Sequence, residues 1–440
     1  MTDFLLEIGC ENIPASFIPP AVEQLKRRVA ERFAELRLAY DDIYASGTPR
    51  RLTLLVTGLA AAQKSKVDII TGPPVSKSFD EHGSPTRAAA GFAKSHGISV
   101  DKLGSIRTEK GEYLGFKKRE KGKRTASVLK HMLPELIAEL KFPKTMRWEG
   151  EAFRFARPVR WMVCLHGESI VRFSLAGVTS GNTSYYMPWI DAKKIRIPDA
   201  ASYLQIMSQA GIIVDQDERL QLIDQLSRQT AKRHGLHLVD NPGLLQELTF
   251  MIEKPDVFVG SFSDKYLSLP HEVVVTAMKA HQRYFALRED GGALVPKFLA
   301  FSEGKLDDAG RIKRGNEKVL KARLEDAYFY WQEDIKRGIE GLSQMLRHIV
   351  FIEKLGTLQD KSARLHKLMN VLNESGTTAR EFPQDKIERI SILAKADLAS
   401  EMVKDGKEFT LLQGLIGSHY ASAAGEDPDI VQAIKEQYLP

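Results

Sequence analysis

Apolar residues open the chain in an almost unbroken run, FLLEIGCENIP (4–14), which predicts a short buried strand ending in a turn. Over residues 20–39 the period changes to helical, through Val22, Leu25, Val29, Phe33 and Leu36. RRLTLLVTGLA (50–60) reads as a second buried strand, and the Gly/Pro-punctuated 69–86 as a long loop. RAAAGFAKSHG (87–97) predicts a small-residue helix with Thr86 as N-cap. EYLGFKKREKGKRTASVL (112–129) reads as a strand that turns at Lys121-Gly122 and enters a helix. ARPVRWMVCLHG and SIVRFSLAGV (156–178) are further strands. From 200 the pattern becomes helical, interrupted by a strand at KPDVFVGSF (254–262). After Trp331 it is helical throughout, over 335–374, 384–404 and 429–437, with glycine joints at Gly406, Gly414 and Gly417. The pattern thus predicts an α+β region over 1–340, with two subdomains meeting near 190–205, and an all-α domain over 341–440.

One helix breaks a local rule. In residues 311–334, Leu320, Leu324, Tyr328, Trp331 and Ile335 recur on one face, and Asn316 reads as its N-cap with Glu317 in the first turn. Arg311, Lys313, Arg314, Lys318, Lys321 and Arg323 crowd its first half, and Glu325, Asp326, Glu333 and Asp334 its second. The helix dipole favours the opposite order, by roughly 0.3–1 kcal/mol per charge. Two readings fit: a polyanion partner, or a solvated face whose cost is tolerated.

At 440 residues the chain predicts two to three domains. Its net charge of +6 is unevenly spread: residues 380–440 hold seven Lys and Arg against eleven Asp and Glu, which leaves about +10 elsewhere. Cys10 and Cys164 are too few for a disulfide framework and read as small hydrophobes. No apolar run has the length of a membrane span, and the acidic N-terminus is no signal peptide, so a cytoplasmic protein is expected.

Chemistry comes next. KFPKTMRWEGEAFRFARPVRW (141–161) interleaves Lys141, Lys144, Arg147, Arg154, Arg157 and Arg160 with Phe142, Trp148, Phe153, Phe155 and Trp161. That is the composition of a surface that clamps phosphates and stacks bases, or of a strand pair with aromatics inward and arginines outward. KKREKGKR (117–124) reads as an exposed hairpin tip, for phosphate contact or solubility alike. In MKAHQRYF (278–285), His281 suits general-base, phosphate-gripping or structural roles. His348, His366, Asp397 and His419 are ligand types for a helical metallophosphohydrolase, but no adjacent His-Asp pair occurs there, so no metal site is expected. Neither GxxxxGK[ST] nor a post-strand GxGxxG is present.

EIGCENIP (7–14), TPRRLTL (48–54), GPPVSKSFDEHGSPTRAAAGFA (72–93), MRW (146–148) and FARPVRW (155–161) together resemble the beta subunit of bacterial heterotetrameric glycyl-tRNA synthetase. LPHEVVVTAMKAHQRYF (269–285), GNEKVLKARLEDAYFYWQED (315–334), LGT (355–357) and ADLASEMVKDGKEFTLLQGLIGSHYA (396–421) continue the resemblance in order over essentially the whole chain. It implies a B3/B4-like α+β region, then a degenerate HD-like helical domain. It also implies an α2β2 ligase in which the alpha subunit uses ATP and Mg to join glycine to tRNA, while the beta subunit binds and positions the tRNA. This chain then carries no catalytic residue and no cofactor, and neither DNA nor a membrane is implied. Three positions depart from the pattern: Asn182 stands where a histidine is expected, and Cys10 and Asn12 replace Thr and Glu. The family continues into tRNA- and anticodon-binding parts beyond the point where EQYLP stands here, so an N-terminal fragment is expected.

Candidate contacts for tRNA or the alpha subunit are Arg50, Arg51, Arg147, Arg157, Arg160, Lys279, His281, Arg283, Lys313, Arg314 and Lys321. The sequence does not separate the two roles. The rival readings are a metal-dependent HD phosphohydrolase and a stand-alone RNA-binding or scaffold protein.

Overall fold

Strand β1 (Thr2–Cys10) is the apolar run at the start of the chain, and it becomes a central strand buried on both faces. The computed structural model describes residues 1–80, 83–109, 111–147, 153–186, 193–280, 282–304, 310–375, 382–404 and 407–439. The chain separates into two compact units, Met1–Gln216 and Asp217–Pro440, each mixing helix and sheet.

In the first unit the elements run α1 (Ile18–Glu35), β2 (Asp42–Thr48), β3 (Arg51–Leu59), β4 (Lys66–Pro74), α2 (Arg87–Ser95), β5 (Gly104–Thr108), β6 (Gly111–Glu120) and α3 (Thr125–Ala138). Then come β7 (Val159–His166), β8 (Ser169–Ile170), β9 (Thr183–Tyr186), β10 (Lys193–Arg196) and α4 (Tyr203–Gln209). The main sheet is antiparallel in the order β8-β7-β1-β3-β2. β1 and β7 approach closely because Gly9 faces Trp161, where a Cβ would fall inside the indole ring. The loop expected over 69–86 is in part a strand. Gly72, Pro73 and Pro74 sit in β4, an edge strand of the sheet β4-β6-β5, where a missing N–H is tolerated. Thr86 does stand at the N-cap of α2, but its hydroxyl donates to the Lys77 carbonyl instead of capping the helix.

In the second unit the elements are α5 (Gln216–Arg233), β11 (His237–Leu238), α6 (Pro242–Thr249), β12 (Pro255–Ser261), α7 (His271–Ala280), β13 (Phe285–Arg288), β14 (Leu294–Glu303) and α8 (Arg311–Met345). They are followed by β15 (Val350–Ile352), β16 (Gly356–Thr357), α9 (Leu358–Glu374), α10 (Gln384–Leu393), α11 (Glu401–Lys404), α12 (Leu415–Ala423) and α13 (Pro428–Glu436). Four strands pair in the order β11-β13-β14-β12. Residues 341–440 do not form a separate all-helical body. β15 pairs with β16 around a turn closed by Gly356 at φ +77°, following a Val-Phe-Ile run suited to strand. The helices of this segment share one core with α7, α8 and the sheet: Val274, Phe298, Leu324, Leu342, Leu393 and Ile434 all belong to it. The division expected near 340 therefore runs through the interior of this unit. α8 itself breaks at Gly338, whose φ of +71° interrupts the helical backbone.

Candidate nucleic-acid and partner interface

Helix α8 starts five residues before the expected cap. Gly310 at φ +64° precedes its first turn, and Asn316 lies inside it. Leu320, Leu324 and Ala327 form the buried face, whereas Ile335 is 37% exposed. The reversed charges along this helix have two separate explanations. Its acids are struts: Glu317 accepts from the Ser261 N–H (3.0 Å) and hydroxyl (3.2 Å). Glu325 accepts from Lys265 (2.9 Å) and the Tyr266 hydroxyl, and these bonds, Lys265 first, hold its carboxyl below the usual range. Asp334 is fully buried. Its cations are of another kind. Lys313, Arg314, Lys318 and Lys321 are exposed, and only Lys313 reaches an acid, Glu317 at 4.0 Å. Arg314, Lys318 and Lys321 enter no ion pair among the described residues.

Packing brings a second basic segment to this end of the helix. The ring of Tyr284 stacks on Phe298 (centroids 4.5 Å apart), and its hydroxyl donates to the Asn316 side-chain oxygen. Burial pushes the Tyr284 phenol up to about 12, so it stays a donor. Asn316 in turn donates to the Ile312 carbonyl at 2.7 Å. The turn after α7, whose last turn carries exposed Lys279, is thereby tied to the opening turns of α8. Arg283 belongs to the scaffold of that turn. At φ +56° it donates twice to Glu247 (3.0 and 2.9 Å) and once to the Ala280 carbonyl (3.1 Å), closing the end of α7. His281 lies outside the described residues.

The first-unit candidates divide. Arg51 is fully buried and is corrected from contact residue to core residue. Its Nη1 lies 3.6 Å from Glu7 Oε2, Nη1 donates to Ser184 Oγ (3.3 Å) and Nη2 to the Tyr185 carbonyl (3.0 Å), with the guanidinium over the Trp161 ring. Glu7 also accepts from Ser184 Oγ (2.6 Å), Trp161 Nε1 and the Tyr203 hydroxyl. Burial, followed by the charge of Glu7, raises the Tyr203 phenol well above its ordinary value, so it donates at any ordinary pH. Arg50 is likewise buried, over the Tyr186 ring, and is withdrawn from the contact set. Arg157 is half-buried and donates to the Ala156 carbonyl at 2.9 Å. Arg160 is exposed but paired with Glu11.

Arg147 is exposed and sits directly opposite exposed Arg154 in a two-residue ladder. Like charges placed so repel and gain from an anion between them. Arg154 is thus a residue that sequence reasoning left out of the contact set. The Arg-Phe alternation of 154–155, beside the exposed Met146-Arg147 pair, was the available signal. The aromatics of this stretch are core: Phe153 and Phe155 are buried and Phe142 packs edge-on to Phe155, while Trp148 lies outside the described residues. KKREKGKR is not a hairpin tip either. Its first four residues end β6, paired to β4 from Lys66 to Ile69, and Gly122 lies tight against the Gln63 backbone.

The four helical-tail ligand types do not converge. His366 bonds Asn370 (3.1 Å), His419 bonds Glu272 (3.0 Å), His348 accepts from Arg347 (3.0 Å), and buried Asp397 accepts from the Gly414 N–H. Among the described residues no group of three or more His, Cys, Asp or Glu side chains is placed to hold a metal ion. Cys10 and Cys164 are buried, and burial raises the Cys164 thiol far above its usual value, so it is no nucleophile. No described helix is long and apolar enough to cross a membrane.

A family model described as glycyl-tRNA synthetase beta subunit matches residues 4–440. Among curated proteins, the chain is similar to the glycine–tRNA ligase beta subunit of Desulforudis audaxviator, 40% identical over 438 residues. Those of Moorella thermoacetica and Syntrophotalea carbinolica are also 40% identical, over 439 and 440 residues. Each alignment takes in 100% of this chain but only 62–63% of the relative's length.

Proposed function

The chain belongs to the glycyl-tRNA synthetase beta-subunit family, and from that premise we propose that it is the non-catalytic side of a glycine–tRNA ligase, holding tRNA(Gly) for an alpha subunit. The alpha subunit uses ATP and Mg to activate glycine and transfer it to the tRNA 3′ end, in a cytoplasmic α2β2 assembly. This chain supplies proximity, converting an encounter between tRNA and active site into a positioned complex. A B3/B4-like character for the N-terminal region and a degenerate HD-like character for 341–440 are parts of the same reading.

The observation that carries the proposal is the exposed cationic half of α8, whose opening turns Tyr284 ties to the turn after α7. Lys313, Arg314, Lys318 and Lys321 stand against the helix dipole with little internal anion to answer them, which is a favourable site for phosphate oxygens. Reconstitution with the alpha subunit tests the whole reading, followed by co-elution and by glycine charging of tRNA. Absence of both would end it. For the helix itself, Arg314→Ala and Lys321→Ala are each expected to weaken tRNA binding and to lower the slope of log K against log salt by about 0.7–0.9. An unchanged slope removes that residue from the interface.

A further inference from the structure

The sheet β4-β6-β5 has one covered face and one bare face. Helix α2 covers the side bearing Ile70, Gly72 and Phe116. The Phe92 ring lies 6.2 Å from that of Phe116, and a Cβ on Gly72 would come within 2.6 Å of Phe92. The register sets Val67 opposite Arg119, Ile69 opposite Lys117, and Ile106 opposite Tyr113. With a strand period of two, all six belong to the other face. The Ile106 side chain lies across Gly115, where a Cβ would meet it at 2.2 Å.

Val67 and Ile69 are 53% and 57% exposed, although β-branched residues on a sheet face are ordinarily covered. Between Ile69 and β5 lies a concavity of about 610 Å³, lined by Ile69, Ile98, Ile106, Phe116, Lys102 and Lys117 over Gly104 and Gly115. The charged residues that the register gives this face, Lys117 and Arg119, are both cations, exposed, and in no ion pair among the described residues.

Three kinds of occupant can be compared on this chemistry. A second copy would bring Lys117 and Arg119 against their own images, which repel. A nucleic-acid strand would answer the cations through its phosphates but would leave the aliphatic residues Val67, Ile69 and Ile106 uncovered. A protein segment with an aliphatic residue set among carboxylates satisfies both features at once. We propose that this open face docks an aliphatic, acid-flanked segment of the catalytic partner subunit. This rests on the functional reading above for the identity of the partner, and on the sheet alone for the chemistry.

The test uses the full chain with the alpha subunit and with tRNA(Gly), comparing wild type with Ile69→Asp and Lys117→Glu. Both sites are exposed, so neither change opens a core, and far-UV circular dichroism verifies the fold. Each variant is expected to raise the Kd for the alpha subunit at least tenfold while leaving tRNA affinity within twofold. Unchanged alpha-subunit affinity in both variants overturns the docking proposal and leaves the functional reading standing. Weaker tRNA binding with a lower salt slope and an intact subunit complex overturns it in favour of RNA on this face. A wild-type chain that forms no complex with the alpha subunit overturns both.

Discussion

Glu7→Ala is expected to destabilise the first unit by about 3–5 kcal/mol, read as a lower midpoint in urea unfolding. The carboxylate is fully buried between β3 and β7 and lies 3.6 Å from the Arg51 guanidinium. Its removal takes a counter-charge from a buried guanidinium and strips Trp161, Ser184 and Tyr203 of an acceptor. Arg51→Ala should cost a similar amount. The double variant should cost clearly less than the sum, with a coupling of about 1–3 kcal/mol. Additive losses would mean that the two side chains are satisfied independently. The same cycle separates structure from recognition. At a temperature where Arg51→Ala stays folded, its tRNA salt slope should match wild type, because a buried guanidinium releases no counterion.

The second large effect sits in the helix whose charges looked misplaced. Asp334 accepts from the Glu401 N–H (2.8 Å), the Met402 N–H (3.1 Å) and the Tyr420 hydroxyl (2.7 Å), so one carboxylate ties α8 to the start of α11 and to α12. Asp334→Ala should lower stability by about 2–4 kcal/mol, since three buried donors lose their partner. Asp334→Asn keeps an acceptor oxygen and should lose less. Burial raises the Asp334 carboxyl above its ordinary value, against the pull of its hydrogen bonds. A raised folded-state value means that the folded form binds the proton more tightly. Its contribution is therefore fullest below the ordinary carboxylate range and declines as pH rises through the folded-state value. The gap between wild type and Asp334→Ala should accordingly be wider in acid than at neutral pH. A gap that widens on raising the pH would show that the hydrogen bonds, not burial, dominate this carboxyl.

Much of the architecture was legible from local pattern. The unbroken apolar run of β1, the helical period of α1, the strand-then-helix of β6 and α3 and the buried Leu320-Leu324 face all rest on neighbours a few residues apart. Side-chain period is a local property, and it survives any tertiary arrangement that buries one face. The ordered motifs also sufficed to identify the family, because they span nearly every element of the chain. The strand β14 escaped for a related reason: LVPKFLAFSE carries a proline and little alternation, and pairing with β12 and β13 on both sides makes it a strand.

Which polar residues face solvent is another matter. Arg51 and Arg314 are both arginines in basic-looking segments, yet one is sealed in the core and the other is bare. The difference lies in partners 44 to 134 positions away: Glu7, Ser184 and Tyr185 close over Arg51, while Arg314 enters no ion pair among the described residues. In α8 the acids and bases likewise read as one dipole violation, although Glu317, Glu325 and Asp334 answer donors on distant segments and the exposed lysines meet at most acids of their own helix. A buried charge is tolerated only where long-range packing supplies its counter-charge and hydrogen bonds. Periodicity thus determined many of the elements and the two-sided helix, and the ordered motifs determined the family. Tertiary structure alone decided which cations are buried inside the protein and which stand exposed, because that choice depends on contacts between residues remote in sequence.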